Sequence, residues 1–403
     1  MIKKSVFCLT AILILLLTLF ACGQQDIFFT IASETAPKKP RVDGAPSNMV
    51  VFNRTPKTGG SPTPVMYVAS GNNLYWYAKD PSSTTPPTYG WNLGVYDTPK
   101  LPGKIRSLAV AGTYLYALCD PGLFRIPNTI TSSTTWEAIG SDASAEYPNL
   151  QNIFADNGQL FAGANNGGKY GILYLDTSNK LKKLADDTEL LSGVAYSNPN
   201  YFLSTRGKGV YSFGTLTPTP NPPQLATSNG DKNLLIAGMI RLNATTVIAI
   251  ERDGGTLYKV AAGGLTHAGG TSASPTVVKT GKYATGALAE YKYNDGTAKQ
   301  ILVVGVQGVL FNTTSSYSHG YMEFKIETGD ILEGPNEPTV TVVSGNQYTS
   351  SIGKRPINFM FQPTAVDNTE MLFFASTQTT GLWSFRFRDG VWQWNAEGDN
   401  EPE

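Results

Sequence analysis

The chain has 403 residues, with 31 Lys and Arg against 31 Asp and Glu, so it carries no formal net charge. That balance offers no basic footprint for nucleic acid. With 41 Gly, 25 Pro, 11% aromatic and only 15% charged residues, the composition favours many turns and few helices, and an all-β chain is expected.

Lys3 and Lys4 precede an uncharged run of 16 residues, Val6 to Ala21. This is shorter than the ~20 apolar residues of a membrane-spanning helix. A charged start, a short apolar stretch and a small residue at a cut point describe a secretory signal peptide. The alternative is an uncleaved anchor helix in which Cys22 is incidental. Residues 1–21 are expected to be the signal peptide, and Cys8 leaves with it. Loss of Lys3 and Lys4 takes the formal charge to −2.

Leu19, Phe20, Ala21 and Cys22 resemble the lipobox of bacterial lipoproteins. The resemblance implies diacylglyceryl transfer to the Cys22 sulfur, cleavage between Ala21 and Cys22, and acylation of the new N-terminus. A thiol suits the first step because its thiolate is nucleophilic. Three acyl chains would hold the membrane far more firmly than one. Residues 22–46, containing "ETAPKKPRVDGAP", then read as the lipidated N-terminus and a flexible tether. Lys38, Lys39 and Arg41 sit beside the lipid, as a solvated linker or against anionic headgroups. Gly23 is not the aspartate that acts as a retention signal in some bacteria, which points to the outer membrane and leaves the face open.

From Ser47 a unit recurs: an apolar strand, a turn, a second apolar strand, a turn, then an aromatic-bearing strand. The first strands centre on Val51, Leu108, Ile153, Val194, Met239, Leu288 and Phe359. The third strands carry a Leu/Val-aromatic pair that starts at Leu74, Leu123, Leu173, Val210, Leu257, Leu310 and Leu382. Successive gaps run 49, 50, 37, 47, 53 and 72 residues, the period of propeller blades. Fourth strands are visible in "TWEAIG", "KLKKLAD", "YMEFKI" and "VWQWNAE".

Each such sheet has apolar faces it cannot bury alone, and stacking in a ring buries them without a long exposed edge. The expected fold is therefore an all-β β-propeller of seven four-stranded blades over residues 47–397, followed by a tail at 398–403. Six or eight blades are the alternative, because the 37 and 72 gaps are irregular; a β-sandwich pair does not need a seven-fold recurrence. Over residues 47–397 the chain resembles propeller lipoproteins in architecture, without a WD, kelch or Asp-box series that would name a subfamily.

Catalytic and metal motifs are missing: no HExxH, CxxC, EF-hand loop, GxSxG elbow or Walker loop is present. With Cys22 lipidated, Cys119 is the one remaining thiol, so no intrachain disulfide is expected, and Cys119 reads as buried and inert. His267 and His319 are too far apart in sequence to argue a metal site. The acids Asp186, Asp187 and Glu189, and Glu327, Asp330, Glu333 and Glu337, read as solvated turns ahead of acid–base or Ca²⁺ sites. The 72-residue gap holds a possible extra strand, Thr339 to Gly345, that would cap the disc, present an edge for strand addition by a partner, or simply form a decorated outer hairpin.

Binding candidates come from loops. Tyr89 and Trp91 end a Pro/Thr-rich loop and would make a sticky surface or cover a blade edge. Tyr317 and Tyr321 flank His319 in a turn. No cofactor and no metal are expected. The function expected is a lipid-anchored envelope module that binds a protein or a glycan. The alternative is a propeller enzyme (lyase, lactonase or glycosidase) with its site in the axial channel, where residues scattered in sequence converge and motifs are blind.

Overall fold

A computed structural model of the chain describes residues 42, 44–55, 61–79, 89–93, 100–129, 133–218, 223–271, 274–281, 283–294, 298–307, 320–327, 330–336, 356–363, 373–377, 381–388 and 391–397. Regular structure among them is entirely β. It comprises seven sheets of three or four strands and one small hairpin, Gly269–Thr271 with Ser274–Thr276. Each sheet is an uninterrupted stretch of chain whose strands pair antiparallel in sequence order.

The first sheet holds Met49–Arg54, Thr63–Ser70, Asn73–Lys79 and Tyr89–Leu93. The second holds Ile105–Ala111, Tyr114–Cys119, Gly122–Pro127 and Glu137–Ala138. The third holds Asn149–Asp156, Gln159–Asn166, Lys169–Leu175 and Leu181–Thr188. The fourth has three strands, Leu191–Ser197, Asn200–Thr205 and Val210–Phe213. The fifth holds Ile236–Arg241, Val247–Glu251, Leu257–Ala261 and Gly264–His267. The sixth holds Ala284–Asn294, Ala298–Val306, Tyr321–Glu327 and Asp330–Asn336. The seventh holds Ile357–Phe361, Phe373–Thr377, Gly381–Arg388 and Val391–Ala396.

The core is a set of seams between these sheets. In Val247–Glu251, Val247 and Ala249 enter the cluster shared with the fourth sheet, while Ile248 and Ile250 enter the one shared with the sixth. Alternation along a strand sends successive side chains to opposite faces. Both faces are covered here, so the run reads as continuously apolar. Similar clusters join the first sheet to the second, second to third, third to fourth and sixth to seventh. A last cluster brings Met49, Met66, Tyr77 and Trp91 of the first sheet onto Phe359, Phe374 and Leu382 of the seventh, so the series closes on itself. This is a propeller-type arrangement.

The first strand of each sheet lies beside the first strand of the next, from the first sheet round to the seventh, and so borders the middle of the ring. Six of these strands carry a register irregularity near their start, at Ile105/Ser107, Leu150/Asn152, Leu191/Gly193, Ile236/Gly238, Ala284/Leu288 and Ile357/Phe359. Such bulges bend a strand and raise its twist. A Cβ on Gly238 would meet the Gly286 carbonyl oxygen at 2.5 Å, so glycine lets the fifth and sixth sheets approach backbone to backbone there.

One expectation needs correction. "YMEFKI" is the third strand of the sixth sheet, pairing with Ala298–Val306, and not a fourth strand. Its Met322, Phe324 and Ile326 are the alternate residues that fill the seam with the fifth sheet. Leu310, expected in that third strand, lies outside the described residues, as does the extra strand at 339–345. Within the stretch expected as tether, Val42 is fully buried in the seam between the first and seventh sheets, and the Pro46 carbonyl accepts a hydrogen bond from Ser376 Oγ at 3.0 Å. Residues 1–39, with Ala21 and Cys22, and the tail at 398–403 lie outside the described residues.

Candidate functional site

Two of the loop residues singled out from the sequence are core residues. Trp91 is 4% exposed. Its ring packs on Tyr77 at 5.1 Å and Phe374 at 5.9 Å, and its Nε1 donates to Glu397 Oε2 at 2.9 Å. The short strand Tyr89–Leu93 carries it against the seventh sheet, which removes it from any surface. Tyr321 is likewise buried, and its hydroxyl accepts a hydrogen bond from Trp394 Nε1 at 3.2 Å. Tyr89 opens its strand opposite Lys79. Tyr317 and His319 lie outside the described residues.

Other sequence features resolve into structure-bearing contacts. His267 stacks on Tyr258, its cross-strand partner, with ring centroids 5.3 Å apart. Burial pushes the Cys119 thiol up to about 12, which keeps it protonated and unreactive. Asp186 accepts a hydrogen bond from the Tyr147 hydroxyl at 2.6 Å and pairs with Lys183 at 3.0 Å. Burial works to raise its carboxyl, and these two donors together hold it below the ordinary range. The cluster pins residues 141–147 onto the third sheet.

The best-built polar and aromatic surface lies where first and second strands turn into one another in three consecutive sheets. In the third sheet the turn is Asn157-Gly158, with φ of 48° and 76°. Positive φ at both central residues is the two-residue hairpin geometry that Asn-Gly favours. In the fourth sheet the turn is Asn198-Pro199, joined by a cis peptide bond. In the fifth, Asn243 Oδ1 accepts from the amides of Thr245 and Thr246 at 2.9 and 2.8 Å, an Asx-type turn.

These hairpins are fastened to one another. Asp156 Oδ2 accepts from the Tyr196 amide at 2.7 Å, and Asp156 Oδ1 pairs with Arg241 Nη2 at 2.8 Å. Ser197 Oγ donates to the Ala244 carbonyl at 3.2 Å. On this scaffold Tyr196 and Tyr201 face each other across the hairpin, ring centroids 4.7 Å apart. Tyr201 leans on the buried Phe161 at 5.3 Å. The Tyr196 hydroxyl donates to Asn198 Oδ1 at 3.1 Å, and Asn157 Nδ2 donates to the Tyr201 hydroxyl at 3.4 Å. Both rings are half-buried, while Asn157, Asn198 and Arg241 are exposed. The result is a tyrosine ledge with planar amides at its rim and a guanidinium beside it.

Sequence reading missed this ledge because its parts are some 40 residues apart. A signal was present: an Asn follows the first strand within two residues in three successive units, in "DNG", "SNPN" and "LNATT". The axial alternative expects acids to converge at the middle of the ring. Among the described residues no group of three or more His, Cys, Asp and Glu is placed to hold a metal ion.

No protein-family model matches the chain, and no curated protein matches it in sequence. Solved structures similar to it include the computationally designed Ika8 protein, at 12% identity and a TM-score of 0.45 over 87% of this chain and 100% of that one. YCF48 bound to D1 peptide is similar at 12% identity and a TM-score of 0.47, over 87% and 93% of the two chains. The luciferin-regenerating enzyme is similar at 14% identity and a TM-score of 0.42, over 74% and 97%. Likeness at this level speaks to neither ligand nor reaction.

Proposed function

We propose that the chain is a lipid-anchored binding module of a bacterial envelope, a seven-bladed propeller that takes up a glycan on the tyrosine ledge. The seven sheets and the seven seam clusters, one per pair of neighbours, support the blade count. The resemblance of Leu19 to Cys22 to a lipobox supports the anchor and, with it, a membrane location, the outer membrane being the expected one.

The observation that carries the binding reading is the ledge itself. A saccharide presents C–H faces to aromatic rings and hydroxyls to amides and a guanidinium. Tyrosine supplies rigid amphipathic area with little rotamer entropy to lose, and asparagine supplies adaptable hydrogen bonds. Here both tyrosine hydroxyls are already held by asparagines, so the rings are oriented before a ligand arrives, which lowers the cost of binding.

The test is a glycan array probed with the full chain, wild type against Tyr196→Ala and Asn157→Ala. Each variant should weaken binding about tenfold, the loss of one good contact of ~1.4 kcal/mol. Undiminished binding in both, or capture of a protein and no glycan, sinks the ledge as a glycan site. The anchor is tested separately by palmitate labelling in cells, which should vanish in Cys22→Ser. Protease added to intact cells then reports which face of the membrane carries the ring.

A further inference from the structure

The seam between the sixth and seventh sheets contains a carboxyl group with no partner among the described residues. Glu323 lies in the third strand of the sixth sheet, opposite Val303. Val303 and Tyr321, two residues before Glu323 on the same strand face, both belong to the cluster shared with the seventh sheet. Alternation therefore turns Glu323 toward that sheet. The cluster is aromatic: Tyr291, Phe373, Phe385 and Trp394 pack with centroids 5.0 to 6.3 Å apart. Glu323 is half-buried and has no hydrogen-bond or ion-pair partner among the described residues.

Among the described residues, few charged or titratable groups face it. Its own strand contributes Tyr321, already bonded to Trp394, and the exposed Lys325, one step further along that face. The first strand contributes Tyr291, and the second contributes Ile301 and Val303. The fourth strand places Asn336 opposite Glu323 and Glu333 opposite Lys325. The seventh sheet contributes Ile357, Met360, Phe373, Ala375, Trp383, Phe385 and Trp394 to this seam, none of which titrates.

We propose that Glu323 is held as a neutral acid in this seam, and that its ionisation loosens the sixth sheet from the seventh, making the ring responsive to alkaline pH. A carboxylate without a donor is costly in apolar surroundings, and such a group stays protonated instead. Burial alone pushes this carboxyl up to about 8. Its partial exposure leaves water a route to remove the proton.

The folded value lies above the unfolded one, so the stability this group contributes is fully present below pH ~4.5 and is lost as pH rises toward ~8. Urea unfolding of the full chain from pH 4 to 9 reads this directly. The folding equilibrium of the wild type should fall with rising pH relative to Glu323→Gln across that window, by about fivefold in all, and run parallel above it. Parallel profiles throughout would overturn the proposal. Should the variant not fold, carbon-detected NMR of wild-type glutamate carboxyls decides. One resonance titrating near 8 supports the proposal, and every Glu titrating below ~6 overturns it. Hydrogen exchange above pH 8, corrected for intrinsic rates, should rise first in Tyr321–Glu327 and Phe373–Thr377. A uniform rise across all seams would overturn the loosening.

Discussion

Two seams on either side of the seventh sheet solve the same problem differently. Each is rich in aromatic rings, and among the described residues each contains one glutamate. Between the seventh sheet and the first, Glu397 is only 8% exposed, and it receives the Trp91 indole N–H. The same seam holds Tyr77 against Trp91 and Phe374, and the Ser376 bond to the Pro46 carbonyl. Between the sixth sheet and the seventh, Trp394 gives its indole N–H to Tyr321 and none to Glu323. A buried carboxyl is tolerated when a donor is built to meet it; without one it gives up its charge. The seam that fastens residues 306 apart in sequence has the donor.

The strongest way to break this contrast is Trp91→Ala. It removes a fully packed ring and leaves Glu397 without its donor, so a loss of about 3–5 kcal/mol is expected in urea unfolding. A loss below ~1 kcal/mol would mean that the seam is not what closes the ring. Glu397→Ala keeps the Trp91 ring but removes the carboxylate acceptor of its buried indole N–H, at a cost of about 1–3 kcal/mol. Glu323→Gln should have the opposite sign. At pH 7.5 the variant no longer loses a proton on unfolding, so it should be more stable than wild type by about 1 kcal/mol, allowing for solvent around a half-buried group. Destabilisation by both glutamate substitutions, equal in size, would erase the difference between the seams.

The repeat was legible because its physics is local. Leu74, Leu123, Leu173, Val210, Leu257 and Leu382 all lie in third strands and are buried, and first strands fall where small apolar residues recur. What stayed hidden depends on partners remote in sequence. "YGWNL" follows a Pro/Thr-rich loop and looks like loop, yet Trp91 is buried by Phe374 and Glu397. Tyr321 looked like a turn residue because the sixth unit's third strand had been placed at Leu310. Glu323 sits in "YMEFKI" as an ordinary polar member of an alternating strand. Only a second sheet laid across that face makes it unusual.

Among the described residues each of the seven sheets is one stretch of chain in sequence order, and side-chain packing joins first to last with no strand exchanged across that seam. This shapes how such a gene can change. Copying or losing one unit is a single in-frame event of about 50 codons, the repeat period, because no strand has to be replaced at the far end of the reading frame. The newcomer needs only two apolar faces to fit, and its hairpin turns are free to acquire a new rim.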